Sequence, residues 1–281
     1  MHFNKFSNTE QHLGSIAIIY ISLLIFFQAI IFDGKTYQQA ADTVASRAWN
    51  TLINDAKAED VYPHWNPYIF CGMPTMGSVT FYRVEHWYDD IILSGWGLVK
   101  SGLIYLFGAV PDSDWLVLYL VYGIGVYFFA FSIFKNKPIS LMVALAAVYS
   151  SRVTILIMTG HFTKLATLAW MPFVFIIVDS IRRGKTQLLY LFLLAVVLRL
   201  MIAPSHAQFI YYIYLALGGY FAYFMGRAYF KNEPKRNLVT GIVYLVIATG
   251  LVFAMGLTQW LAIKEYNPYS IRGSNSIERL K

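Results

Sequence analysis

The sequence predicts an all-α integral membrane protein with about seven transmembrane helices. Three observations support this fold class: apolar stretches long enough to span a bilayer, which needs about 20 residues each; basic loops that alternate along the chain; and a low charge content. Hydrophobic residues make up 58% of the chain and charged residues 13%, about half the charged share of a soluble domain. The seven predicted spans are residues 13–32, 115–134, 138–157, 165–181, 187–203, 206–226 and 237–257.

The charges in the short loops predict the orientation. The N-terminus and alternate loops hold ten cations and three acids (Glu10, Asp179 and Glu233). The rest of the chain holds twelve charges of each sign, so the net charge of +7 comes from the side that the N-terminus and these loops share. The positive-inside rule places this side, with the N-terminus, in the cytoplasm. Because the charge follows orientation, no nucleic-acid partner is expected. The ten cations are Lys5, Lys135, Lys137, Arg182, Arg183, Lys185, Arg227, Lys231, Lys235 and Arg236.

The whole chain, 1–281, is interpreted as one membrane domain. Residues 1–32 form a cytoplasmic tail and an uncleaved first span, because the apolar run is too long for a signal peptide. A six-span bundle follows at 115–257, and an extracytoplasmic tail at 258–281. The single cysteine, Cys71, excludes an internal disulfide and a cysteine-based zinc site.

The remaining part, 33–114, is predicted to be a large extracytoplasmic loop with interfacial helices. Residues 36–57 alternate apolar and polar positions at helical spacing, as in an amphipathic surface helix. Three prolines and a glycine in 62–74 exclude a regular helix there. Residues 91–110 are apolar enough to span apart from Lys100, but a span here would invert every later loop, so an interfacial helix is the favoured alternative.

Ionisable residues collect near the predicted outer ends of the spans. Arg152 and Arg199 lie at membrane depth, where a cation costs at least about 2.5 kcal/mol on insertion scales and faces a cavity or a partner; snorkelling to the headgroups is the alternative. Cations, imidazoles and carboxylates on one face can bind an anionic lipid-linked substrate. No Walker loop or other nucleotide motif is present, so the substrate must arrive activated in the membrane. The other polar residues on this side are His64, Asn66, His161, Lys164, His206, Gln208, Tyr269 and Arg272.

Four blocks, in order, resemble the YfhO-like bacterial membrane proteins, a family of the GT-C glycosyltransferase type. Residues 65–75 read Trp-Asn-Pro-Tyr-Ile-Phe-Cys-Gly-Met-Pro-Thr, similar to the family's loop that ends in Phe-Gly-Gly-Met-Pro. Residues 159–172 resemble its Gly-His-x-x-Lys block before an apolar helix. Residues 205–212 resemble its His-x-Gln and Tyr-Tyr element, and 269–273 its Tyr-Ser-x-Arg-Gly element.

The resemblance implies transfer of a sugar from a polyprenyl-phosphate donor to an acceptor on the extracytoplasmic face of the bacterial cytoplasmic (inner) membrane. Asp42, 23 positions before Trp65, matches the position of the family's catalytic acid best, and Asp33 is the fallback. Lys164 and Arg272, helped by Arg152, are the candidate ligands of the donor phosphate. The other site candidates are His64, Asn66, His161, Arg199, His206, Gln208 and Tyr269.

The resemblance leaves a second function open. Family members are several hundred residues longer, so this chain is alternatively a truncated, non-catalytic subunit that packs with a protein partner in a larger membrane complex. The expected non-protein partners are the lipid-linked donor and membrane lipids. No cofactor is predicted, while a divalent metal stays open. The sugar and the acceptor are not specified by the sequence.

Overall fold

The computed structural model describes residues 8–35, 51–61, 63–69, 71–75, 87–110, 113–204 and 206–269. Apart from turns and loops, these residues form α-helices, a two-stranded antiparallel pair, β1 (Trp65–Asn66) and β2 (Met73–Pro74), and two 3₁₀ turns at Tyr105–Phe107 and Asn267–Tyr269. The helices are α1 (Asn8–Phe26), α2 (Gln28–Ile31), α3 (described over 51–58), α4 (Trp87–Ile104), α5 (Ser113–Phe134), α6 (Lys137–Val148), α7 (Ser151–Met158), α8 (Phe162–Arg182), α9 (Leu188–Ile202), α10 (Ala207–Phe230), α11 (Arg236–Met255) and α12 (Leu257–Tyr266).

Six helical segments of the described chain, rather than the predicted seven, are long and apolar enough to cross a membrane. They are α1, α5, α6 with α7, α8, α10 and α11. The fifth predicted span, 187–203, forms α9 instead, whose 15 residues measure about 22 Å at 1.5 Å per residue. A turn that contains Pro204 follows α9, and proline disfavours helical continuation. α9 is nevertheless well buried, and it packs against α8 and α11.

The three basic loops and the beginning of α1 meet at one end of the bundle, the basic end. The Arg183 guanidinium donates to the Ser132 carbonyl at 2.8 Å, joining the loop after α8 to the end of α5. The Lys137 ammonium donates to the side chains of Asn8 and Gln11, both at 2.8 Å. The third loop joins them because the side chain of Asn237 donates to the Arg182 carbonyl, at 3.5 Å.

At the opposite end, α1 finishes and α5 begins. The ring centroids of Phe27, which directly follows α1, and Trp115 of α5 lie 5.1 Å apart. α4, which lies between α1 and α5 along the chain, packs on the bundle through Trp96, whose ring centroid is 4.8 Å from that of Trp170. The Lys100 ammonium also lies 3.2 Å from the Asp114 carboxylate. α5 begins at the end of the bundle where α1 finishes, and Ile91–Phe107 is one of the shorter apolar helices. The interfacial placement of 91–110 stays a prediction.

α5 and α8 form the centre of the bundle. A Cβ atom at Gly125 would lie 2.7 Å from the Phe173 ring and 3.1 Å from the Pro172 side chain, so only glycine allows this approach of the two helices. Small residues at helix contacts are the usual means of close packing in membranes. Two apolar cores result, and Trp170 and Met171 of α8 pack against both.

Two predicted segments differ in detail from their interpretation as a span and a tail. The third predicted span is broken at Tyr149–Ser150, where α6 ends and α7 begins. The chain after 257, interpreted as a tail, contains α12. Of the amphipathic stretch 36–57, residues 51–57 are helical with Leu52 and Ala56 buried, and 36–50 lie outside the described residues.

A buried ion network at the basic end holds α8 against α10. Asp179 is 5% exposed, and its carboxylate accepts from Arg182 at 2.6 Å, Arg183 at 2.7 Å and the Tyr220 hydroxyl at 2.7 Å. The Arg182 guanidinium also lies 4.1 Å from the centre of the Phe224 ring. From the sequence, Asp179 was predicted only as one of the few acids among the loop charges. It lies three residues before Arg182 and four before Arg183, which is a typical ion-pair spacing in a helix.

We expect Asp179→Asn to destabilise the protein by about 3 kcal/mol, because the change leaves two partly buried guanidinium groups without their carboxylate. The free energy of unfolding is measured by denaturant titration in detergent. Glu233→Gln is the matched control, since the Glu233–Arg227 pair at 3.3 Å is exposed and such pairs contribute at most about 1 kcal/mol. Equal effects of the two changes would contradict a structural role for the Asp179 network.

The charge pattern predicts that the basic end faces the cytoplasm. In a Cys71→Ser background, which removes the exposed native thiol, a membrane-impermeant maleimide should label Lys35→Cys, in the loop after α2, in intact cells and spare Gln187→Cys. Both positions are exposed, and they lie at the opposite end and at the basic end, respectively. Labelling of Gln187→Cys alone would reverse the orientation. Permeabilised cells, in which both should react, provide the control.

Candidate functional site

Three of the candidate residues, His161, Lys164 and His206, come together at the opposite end of the bundle. His161 directly precedes α8, and Lys164 lies in its first turn. His206 precedes α10 and accepts a hydrogen bond from the Phe209 N–H through Nδ1, at 3.4 Å. All three side chains are half-buried. Two of the sequence blocks, distant along the chain, therefore contribute to one place.

The electrostatics of His206 report this proximity. Burial lowers the pKa of His206 below its ordinary value, and the positive charges of Lys164 and His161 lower it further, against a smaller opposing contribution from a backbone hydrogen bond. Because salt screens exposed charges over roughly 10 Å, this interaction places the three groups in one neighbourhood. We name this group, His161, Lys164 and His206, the His–Lys cluster.

The His–Lys cluster can bind an anion by hydrogen bonds. Because Nδ1 of His206 accepts from a backbone N–H, a neutral imidazole there carries its proton on Nε2, which is then a donor. The Lys164 ammonium adds up to three donors and a full positive charge. The cluster also lies where two long helices begin, and the beginning of a helix carries free N–H groups and a partial positive charge.

The remaining cations and amides have different surroundings. Arg152 begins α7 and is exposed, and within the described part of the chain no hydrogen bond or ion pair holds its side chain. Arg199 of α9 is only 3% exposed, so its side chain is inside the bundle and does not snorkel to the headgroups. Gln208 is exposed and donates to the Tyr212 hydroxyl at 2.9 Å.

The candidate acids are only partly described. Asp33 follows α2, is exposed, and lies 3.5 Å from the Lys35 ammonium. Asp42 lies outside the described residues.

The candidates near the end of the chain are also only partly described. Arg272 lies outside the described residues, and Tyr269 lies in the 3₁₀ turn after α12 and is exposed. Within the described residues, no three His, Cys, Asp or Glu side chains group as a metal site would require.

The block 65–75 folds as a small hairpin, in keeping with the exclusion of a regular helix. Trp65 pairs with Pro74 and Asn66 with Met73. Gly72 has a φ of +114°, and a Cβ there would lie 2.6 Å from the Trp65 ring, so the turn requires glycine. The Tyr68 hydroxyl donates to Asp55 at 3.2 Å, tying the hairpin to α3, and this bond raises the pKa of Tyr68.

Two polar candidates belong to this hairpin. Asn66 is fully buried, and its Oδ1 accepts from the Tyr68 N–H at 2.9 Å. Its Nδ2 donor has no hydrogen-bond partner in the described structure. His64 is exposed at the beginning of the hairpin.

The position of His12 differs from the prediction. His12, assigned to the N-terminal tail, lies within α1, where its Nδ1 is 2.7 Å from the Tyr127 hydroxyl. Its ring also packs edge-on to Phe131, with a centroid distance of 4.7 Å. The helix begins five residues earlier than the predicted span, because polar residues that pack against neighbouring helices add turns that hydropathy does not detect.

Comparison with known proteins adds no relative: no protein-family model, curated protein or solved structure matches the chain. The fold and the His–Lys cluster therefore rest on the chain's own residues.

We expect Lys164→Gln to raise the pKa of His206, because the change removes a positive charge that disfavours the imidazolium. The shift stops short of the ordinary histidine value, since burial, the larger cause, remains. The imidazole is followed by NMR of isotope-labelled histidine against pH. Arg152→Gln removes an equal charge at the same end and should leave His206 unchanged; an equal shift would mean that Arg152 belongs to the cluster.

Proposed function

We propose that the protein binds a polyprenyl phosphate at the end of the bundle opposite its basic loops, and that it transfers the sugar carried by this lipid to an acceptor. The observation that carries the proposal is the His–Lys cluster, in which the beginnings of α8 and α10 place an ammonium and two imidazoles together. Both contributing blocks are among those that resemble the YfhO-like family.

The chemistry of the cluster suits a lipid phosphate better than a structural ion pair. Lys164 lies in the first turn of α8, where the partial positive charge of the helix end disfavours a cation. An anion bound here would gain from the ammonium, from the helix end and from the Nε2–H donor of His206. The half-buried setting reduces screening by salt, and the surrounding membrane suits the prenyl chain.

The proposed transfer needs a base for the acceptor and charge stabilisation for the leaving group. The acceptor hydroxyl attacks the anomeric carbon of the sugar, the bond from that carbon to the phosphate oxygen breaks, and the lipid phosphate leaves with the electron pair. A carboxylate takes the hydroxyl proton, and Asp42 is the first candidate. Since negative charge grows on the phosphate, fixed cations stabilise the transition state more than the ground state.

We expect Lys164→Gln to weaken binding of undecaprenyl phosphate about tenfold, which corresponds to the loss of one charge-assisted contact of about 1.4 kcal/mol. Binding is measured on the full chain in phosphatidylcholine nanodiscs. Arg272→Gln should act in the same direction if Arg272 is the second phosphate ligand.

Lys57→Gln is the matched control, because it removes one exposed lysine charge from α3, outside the His–Lys cluster. If Lys164→Gln binds the lipid as well as the parent does, or if Lys57→Gln weakens binding equally, the lipid phosphate binds elsewhere and the proposal fails. Phosphatidylglycerol provides a second comparison: if Lys164→Gln weakens its binding equally, the cluster recognises ordinary headgroups.

Activity separates the enzyme from the non-catalytic subunit. Asp42→Asn should lower sugar transfer by about 10²–10⁴-fold, the usual contribution of a positioned base, with lipid binding unchanged. If Asp42→Asn retains full activity, Asp42 is not the base, and Asp33→Asn is measured in the same way. A parent chain that binds the lipid but transfers no sugar, alone or with membranes of its source, would support the subunit.

A further inference from the structure

Three lysines at the basic end lie over aromatic rings. The ammonium groups of Lys135 and Lys185 are each 5.8 Å from a ring centre, those of Phe131 and Tyr190, respectively. Lys235 lies 4.9 Å from the centre of the Tyr229 ring. Each ring holds its lysine close to the helix surface, and all three lysines are exposed. The three loops thus repeat one arrangement, which we name the lysine–ring pairs.

Two of the three carboxylates counted at this end, Asp179 and Glu233, are already bound by arginines. Asp179 is bound by Arg182 and Arg183 inside the bundle, and Glu233 pairs with Arg227. Within the described residues, no carboxylate lies within ion-pair distance of Lys135, Lys185 or Lys235. The basic end therefore presents cations whose charge the described protein does not neutralise.

Apolar side chains lie directly beside two of the lysine–ring pairs. Leu188 and Leu189, three and four residues after Lys185, are 74% and 60% exposed, and Phe230, next to Tyr229, is 85% exposed. Such exposure is expected of side chains in contact with acyl chains. A ligand that meets both features has an anionic head and an apolar tail.

We propose that the basic end is a docking surface for phospholipids with anionic headgroups, bound at the lysine–ring pairs of Lys185 and Lys235. The phosphate of each lipid contacts the ammonium, and its acyl chains lie against Leu188 and Leu189 or against Phe230. Charge complementarity and the adjacent apolar surface select a lipid over a free phosphate. The proposal is independent of the function proposed for the His–Lys cluster at the other end.

The test is retention of lipid by the purified full chain in native mass spectrometry, with phosphatidylglycerol and phosphatidylcholine supplied in equal amounts. The parent should retain phosphatidylglycerol preferentially. In the double variant Lys185→Gln/Lys235→Gln, the ratio of retained phosphatidylglycerol to phosphatidylcholine should fall about fivefold for each lysine removed. This is the contribution expected of a cation near an anionic membrane surface. Gel filtration and circular dichroism check that the variant is folded.

The matched control is Lys57→Gln/Lys264→Gln, which removes two exposed lysine charges from α3 and α12 and should keep the preference. An equal loss in this control, or an unchanged preference in the Lys185/Lys235 variant, overturns the proposal. Inorganic phosphate should not displace the retained lipid, since it lacks the tail; displacement at millimolar concentration would assign the surface to free phosphate. Leu188→Ser/Leu189→Ser should reduce lipid retention with all cations present, and unchanged retention would contradict the role of the acyl chains.

Discussion

The close approach of α5 and α8 at Gly125 is the contact on which the rest of the bundle depends. Between helices in a membrane there is little hydrophobic driving force, so tight packing of small residues decides which helices associate. Gly125 admits Phe173 and Pro172 of α8, while Gly123, on the same helix, admits Ile19 of α1 and Val148 of α6. α5 is thereby clamped from two sides, and the two apolar cores are joined. A side chain at either glycine would push α5 away from α8, which carries Lys164 and Asp179, or from α1 and α6.

α8 connects the two polar ends. Lys164 lies in its first turn, where the helix dipole disfavours a cation. Asp179 lies near its last turn, where the dipole disfavours a carboxylate but favours the Arg182 cation. At the basic end the protein itself supplies the compensation, because two arginines and the Tyr220 hydroxyl surround the carboxylate. At the other end, no carboxylate of the described residues lies within ion-pair distance of Lys164. Its neighbours in the His–Lys cluster are imidazoles, which add no negative charge. This asymmetry is the strongest physical reason to expect an anionic ligand at one end and a structural network at the other.

The sequence predicted what depends on composition and spacing, and failed where packing decides. Apolar length and loop charge predicted the all-α fold, five of the seven spans, the broken third one in part, and the grouping of the basic loops at one end. α9 fills the fifth predicted span and runs between the two ends, but its 15 residues are fewer than those of the six longer spans. Hydropathy records apolar length and not the turn at Pro204 that ends the helix. The pairing of His206 with Lys164 could be anticipated only as two polar blocks on one side, since their proximity depends on how α8 and α10 pack. In the Asp179 network, the spacing to Arg182 and Arg183 was readable from the sequence, whereas Tyr220, 41 positions away along the chain, was not.

The two proposed phosphate surfaces differ in a way that matches different lipids. A polyprenyl phosphate is a monoester, which carries up to two negative charges near neutral pH, because its second pKa is about 6; a phospholipid diester such as phosphatidylglycerol carries one. The His–Lys cluster concentrates donors and positive charge in a half-buried place, where the difference between one and two charges is weakly screened. The lysine–ring pairs are spread over separate loops and exposed to water, so each offers one screened charge to one headgroup. Discrimination between monoester and diester is therefore expected at the cluster and not at the basic end, and the same bundle can hold its substrate on one face and its bulk lipid on the other.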